Sequence, residues 1–211
     1  MTRPFARLIG CLIASSFAFA PLALPAQVKL EVTPHFASYY TTTQLRRVTD
    51  RMFERQEAGP GLGGTLTWRF TNIWAVEAHF TYVKSGIVQQ DSSSNLPPPT
   101  EAHLLMADAR VVFQPRRTNI FFTAGAGTVS RGGPAFDVTG LDDKSDVAML
   151  LGVGVRTRVT PNWAFKLGVE MRAFTTDING VIPPPDPDYY PKRQQRDVLV
   201  TIGVPFALIG R

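Results

Sequence analysis

The sequence is almost free of cysteine: its one thiol, Cys11, lies close to the N-terminus. Disulfides, a thiolate nucleophile and cysteine metal sites are therefore excluded for the rest of the chain. Histidine is nearly as scarce, with only His35, His79 and His103. No stretch beyond the N-terminal one is apolar for the roughly 20 residues that a membrane-spanning helix needs. Charge of one sign is also missing, since 22 Lys and Arg stand against 17 Asp and Glu. The basic residues are dispersed among acids, so the clustered basic stripe of a nucleic-acid binder is absent and no nucleic-acid partner is expected.

The N-terminal run itself, "LIGCLIASSFAFA" from Leu8 to Ala20, is 13 residues and too short to span a bilayer as a helix; it is preceded by Arg3 and Arg7 and followed by "PLALPA". A positive start, a short apolar run and a small-residue end make a secretory signal peptide over residues 1–26, with cleavage expected after Ala26. "LIGC" resembles a lipoprotein box, but such a cysteine should close the apolar run, and Cys11 does not. Without Arg3 and Arg7 the remainder holds 20 Lys and Arg against 17 Asp and Glu. Residues 27–211 suffice for one domain.

What fills that domain is alternation with period two, the signature of β-strands. Eight such runs occur, at about 28–39, 59–70, 75–85, 102–113, 119–130, 145–159, 163–174 and 196–208. Each is near the roughly 9 to 11 residues that cross a bilayer as a tilted strand. Their connections alternate in length. "TNIW", "QPRRT" and "TPN" are short, whereas the four others are long and carry turn formers such as "SSSNLPPPTE" and "DINGVIPPPDPDYYPKRQQR". Short turns on one side and long loops on the other are the habit of transmembrane barrels, with both chain ends on the short-turn, periplasmic side.

The two faces of the runs differ sharply. Val147, Met149, Leu151, Val153 and Val155 line one face of the sixth run, and Val76, Ala78, Phe80 and Tyr82 one face of the third. Opposite faces carry Lys29, Glu31, His35, Arg69, Glu77, His79, Asp108, Arg110, Arg156, Arg158, Lys166, Glu170, Arg172 and Asp197. Against lipid, each Arg or Lys near the midplane would cost about 2 to 4 kcal/mol, so the polar face must be the inside. A soluble lipocalin-like barrel or sandwich would also alternate, with the charges outward. Two patterns oppose it: the segregated loops, and the aromatics beside the short turns (Trp68, Phe70, Trp74, Phe113, Phe121, Phe122, Trp163, Phe165, Phe206), which suit an interfacial girdle. The expected fold is all-β, an eight-stranded antiparallel up-and-down transmembrane barrel.

On these features the chain resembles the small eight-stranded outer-membrane β-barrels of Gram-negative bacteria, the group of the OmpA membrane domain, OmpX and OmpW. Its C-terminal "TIGVPFAL" places Thr201, Gly203, Phe206 and Leu208 like the signal read by the barrel-assembly machinery, although Pro205 interrupts the strand and the chain runs on to Arg211. The resemblance implies outer-membrane lipid, lipopolysaccharide and that machinery as partners, and a monomer.

Eight strands leave an interior that side chains can fill. Paired charges there make a plug, and a structural or surface-contact role through the long loops is the leading expectation. A narrow channel for small solutes, as in the OmpW group, is the alternative. Some barrels of this size modify lipid A, but the histidine-x-serine arrangement of the deacylases is missing after His103, so no enzyme, catalytic residue or cofactor is expected. Asp137, Asp142, Asp143 and Asp146 do not match a calcium loop and read as solvated loop charges. In the first long loop, Arg46, Arg47, Asp50, Arg51, Glu54 and Arg55 have spacings that allow ion pairs on a short helix.

Overall fold

The alternation becomes a closed sheet in the computed structural model, which describes residues 29–43, 46–47, 52–91, 100–139, 144–159, 163–176 and 193–209. The expected signal peptide lies outside these residues. Strand β1 spans Lys29–Thr41, β2 Arg46–Arg47, β3 Met52–Gln56, β4 Gly59–Arg69, β5 Trp74–Asp91 and β6 Thr100–Phe113. Then follow β7 at Ile120–Gly132, a short helix α1 at Pro134–Thr139, β8 at Lys144–Arg158, β9 at Ala164–Thr176, β10 at Arg193–Gly203 and β11 at Phe206–Ile209. No described helix is long and apolar enough to cross a membrane.

Each consecutive stave pairs antiparallel with the next from β4 through β10, and β1 pairs with β4 on one side and with β10 and β11 on the other. The ring is thus an eight-stave up-and-down barrel, with β3 continuing the β4 stave against β5 and β11 continuing β10. Connections still alternate short and long, although the strands run further into the long ones than the alternation predicts. Strand β5 is 18 residues long, against the eleven expected from 75 to 85.

Two expectations need correction. The first long connection is not helical where it is described: Met52–Gln56 pairs with Ile87–Asp91 as strand, and Arg46 and Arg47 pair with Glu54 and Phe53. Backbone pairing to the tall β5 edge gives this segment ladder partners, which outweigh a few exposed i to i+4 ion pairs. Phe121 does not belong to the aromatic girdle either. It is buried inside the barrel, while its neighbour Phe122 is exposed. Gly154 makes the room: a Cβ there would sit 2.2 Å from Phe121 Cζ.

The outer surface is apolar. Leu151 is 62% exposed and Met149 73%, whereas Leu150 between them is 2% exposed. Phe165, Leu167, Val169 and Met171 continue the exposed face on β9. Near the short turns the girdle is built of ring pairs, Trp74 with Phe113 at 4.8 Å, Trp163 with Phe206 at 5.7 Å and Trp68 with Phe70 at 6.0 Å. Pro205 does end β10: the ladder breaks over Val204 and Pro205, resumes in β11, and shifts register between Leu30 and Glu31 of β1.

Leu151→Arg places a charge in the middle of this face. It should destabilise the lipid-folded barrel by about 2 to 4 kcal/mol, read from urea titrations and the heat-modifiable gel shift. Folding into lipid as stably as the parent would show that the faces are reversed. Gly154→Leu should also weaken the barrel, and adding Phe121→Ala should restore part of the loss by vacating the contested space.

Candidate functional site

Inward positions of all eight staves converge on one lumen. Its centre is a ring of four charges. Arg110 Nε donates to Asp108 at 2.7 Å and its Nη1 to Glu170, while Arg172 Nη2 lies 2.8 Å from Asp108 and 3.3 Å from Glu170. All four side chains are nearly inaccessible. Asp108 and Arg110 come from β6, Glu170 and Arg172 from β9, across the barrel interior. Each contributes two inward residues in succession, because inward positions recur every second residue.

Beside the ring, His35 and His79 stack with their centroids 4.7 Å apart and planes 13° from parallel. Both are buried. Thr81 Oγ1 lies 2.9 Å from His35 Nε2 and 2.6 Å from His79 Nε2, and Thr65 Oγ1 lies 3.1 Å from His79 Nδ1. These hydroxyls occupy the ring nitrogens that a catalytic histidine would offer to substrate.

Towards the short turns a second set of pairs fills the interior. Glu31 accepts from Arg156 at 2.8 Å, and Glu77 is paired with Lys166 and accepts from Thr67 at 2.9 Å. Lys166 also rests over the Phe121 ring, 4.9 Å from its centroid. Towards the long connections the lumen becomes largely apolar, packed by Tyr39, Val83, Leu104, Met106, Phe174 and Leu199. Two polar links cross that layer. Tyr39 donates to Asp197 at 2.5 Å, and Arg131 reaches Asp146 at 2.8 Å, Gln195 at 3.2 Å and Gln56 at 3.3 Å. Helix α1 packs at this end, with Ala135 and Phe136 buried against Ile87 and Ala102.

Of the fourteen predicted lumen residues, nine are buried: Glu31, His35, Glu77, His79, Asp108, Arg110, Glu170, Arg172 and Asp197. Arg69, Arg156 and Lys166 are half-buried at the short-turn half, and Lys29 is half-buried at that mouth. Arg158 corrects the expectation. It is exposed, because β8 ends there and its side chain stands on the rim. Asp146 corrects a second one: it is a buried partner of Arg131 and not a solvated loop charge. Arg131 falls one residue past the run that ends at 130 and Gln56 lies in the first long connection, whereas Asp146 falls inside the run 145–159 but sits in a cluster of loop aspartates; each keeps the inward parity of its strand. Among the described residues no group of three His, Cys, Asp or Glu is arranged to hold a metal. His103 points outward and stacks on Tyr82 at 5.7 Å.

Of the C-terminal signal residues, Thr201 is half-buried and Gly203 buried on the inward side, while Phe206 and Leu208 are exposed on the apolar face.

An apolar belt around a ring of strands that holds its charges inside defines an integral membrane β-barrel. A family model described as outer membrane protein beta-barrel domain matches residues 9–191, and the chain belongs to that family. Among solved structures, the outer membrane protein AlkL is 15% identical, with TM-score 0.59 over 90% of this chain and 94% of its own. OprG from Pseudomonas aeruginosa is 13% identical, with TM-score 0.54 over 88% of this chain and 98% of its own. At these identities the likeness is one of fold. No curated protein matches the sequence.

Glu170→Leu leaves Arg110 and Arg172 sharing one carboxylate in a closed interior and should cost about 3 to 5 kcal/mol. Adding Arg110→Met leaves the balanced Arg172–Asp108 pair and should recover more than half of that loss in the same urea titration. Equal instability of the single and double variants would mean that packing, and not charge balance, sets the cost.

Proposed function

We propose that this outer-membrane barrel is a closed, self-plugged scaffold whose work is done at the membrane and through its four long connections, and not an open conduit. One observation carries the reading: two spaces between described lumen residues, one by Glu31, Glu77 and Lys166 and one by His35, His79 and Glu170, have volumes of only about 10 Å³ each. That is room for about one water molecule. Between and beyond them stand the charge ring and the Tyr39 and Phe174 layer. A solute could cross only by parting Arg110 from Glu170 and then displacing an apolar layer, and nothing in the geometry repays that separation.

The reading places the short turns and both chain ends in the periplasm and the long connections outside. Lipid meets the apolar belt, lipopolysaccharide surrounds the upper strands, and the assembly machinery reads Thr201, Gly203, Phe206 and Leu208. It gives no catalytic role to the three histidines.

The purified monomer in a planar bilayer should show small or rare openings and no large, stable ones. Persistent large conductance would overturn the plugged reading in favour of a channel. Orientation is tested separately on intact cells with a membrane-impermeant maleimide, in a chain whose only cysteine falls in the leader. Pro134→Cys, beside the long connection, should label, and Asn72→Cys, in a short turn, should stay protected. The opposite result would invert the barrel.

A further inference from the structure

The charge balance that holds in the lumen fails at its short-turn mouth. A recess of about 490 Å³ opens there, lined by six cations, Lys29, Arg69, Arg116, Arg117, Arg156 and Arg158, and by one carboxylate, Glu31. Glu31 is already taken by Arg156 at 2.8 Å. A neighbouring recess of about 500 Å³ shares Lys29, Arg69 and Arg116. The remaining polar lining includes amide side chains, Asn72, Gln114 and Asn119.

We infer that this mouth is a binding site for a small multivalent anion, one that carries phosphate groups. Arg69 marks its floor. Its Nε is buried without a hydrogen-bond partner among the described residues, and its Nη1 has only a long contact, 3.4 Å, to Gln114 Oε1. A guanidinium so placed presents a planar fork suited to two phosphate oxygens. Arg116 and Arg117 stand on the rim, in the turn that Thr118 closes by donating its backbone amide to Pro115 O at 3.4 Å. Arg117 sits there at φ 67, a conformation that glycine or asparagine adopts more cheaply. The turn thus holds a cation where backbone ease would select a neutral residue. Cations gathered around a concave mouth focus the field on its interior. A recess of this size is within the roughly 300 to 1,000 Å³ typical of small-ligand sites. The anion stops at the mouth, because the space beneath it, between Arg69, Glu77 and Lys166, is only about 10 Å³. This site is independent of which compartment the mouth faces and of whether the barrel ever conducts.

The test uses the folded protein in phosphatidylcholine nanodiscs, titrated calorimetrically with pyrophosphate at constant ionic strength. Saturable binding of one pyrophosphate per barrel is expected. Arg69→Gln should weaken it by about tenfold or more, as loss of a charge-assisted contact does. The exposed pair Arg116→Ser/Arg117→Ser should do the same without touching the packed lumen, so that the test survives if Arg69→Gln fails to fold. Arg196→Ser, exposed on β10 near its long-connection end, should leave affinity unchanged. Phosphate from a lipid headgroup is distinguished by repeating the titration with phosphatidylglycerol in the discs. Unchanged affinity assigns the site to a free anion, and competition that the double variant abolishes assigns it to the headgroup. Non-saturable binding, binding indifferent to Arg69 and to the Arg116/Arg117 pair, or capture of an acidic peptide in place of pyrophosphate would overturn the inference.

Discussion

Every backbone amide and carbonyl in a hydrocarbon solvent must find its partner within the protein, and a sheet meets that demand only by closing on itself. The seam between β1 and the last stave is where this chain meets it. Residues 35–41 pair with 197–203, and the ladder then has to pass Pro34 and Pro205, neither of which has an amide hydrogen to give. The amide of Val204 donates to Pro34 O at 3.2 Å, and β11 takes up the pairing again at Phe206. The register is the same on both sides of the prolines and shifts only between Leu30 and Glu31, where an added residue on the last stave bends it locally.

Closure also decides what the interior can be. Eight staves bring opposite walls within reach of long side chains, so residues distant in sequence meet, as Glu31 does with Arg156 and Glu77 with Lys166. Buried charges are tolerated only as complete sets. The lumen obeys this by pairing two acids with two bases at its centre and by adding amides and hydroxyls around the others, as Gln56 and Gln195 do for the Arg131–Asp146 pair and Tyr39 does for Asp197. At the short-turn mouth the rule is relaxed because water reaches it, and there the bases outnumber the acids.

Much of this architecture was readable from parity alone. A strand has a period of two, so Glu77, Arg110, Glu170 and Arg172 could be sorted to one side without knowing a single contact. Phe121 was readable too, since Phe121 and Phe122 are adjacent and cannot both face lipid, and Thr123 and Gly125 mark the inward series. The partners were not. Whether Arg110 meets Glu170 or Asp197 depends on the stagger between staves, which no local pattern encodes. Arg131 escaped because the turn formers Gly132, Gly133 and Pro134 sit directly beside it and conceal that the ladder continues to that point, and Asp146 because it closes a run of loop-like acids with Asp142 and Asp143 although its parity is inward. Gln56 escaped because the charges of its segment imitate a helix, while the edge it pairs with is more than thirty residues away.

That edge belongs to the tallest stave. At about 3.4 Å per residue and a tilt of about 40°, the 18 residues of β5 rise roughly 45 Å, against an apolar band about 25 Å tall. Its outward apolar series ends at Tyr82, and from exposed Lys84 onward the strand, with β3 alongside, stands clear of the apolar band. The projection is therefore a stiff parapet of hydrogen-bonded ribbon and not a loose fringe. A molecule that grips it meets a surface already frozen in shape, and little ordering entropy is charged against the contact.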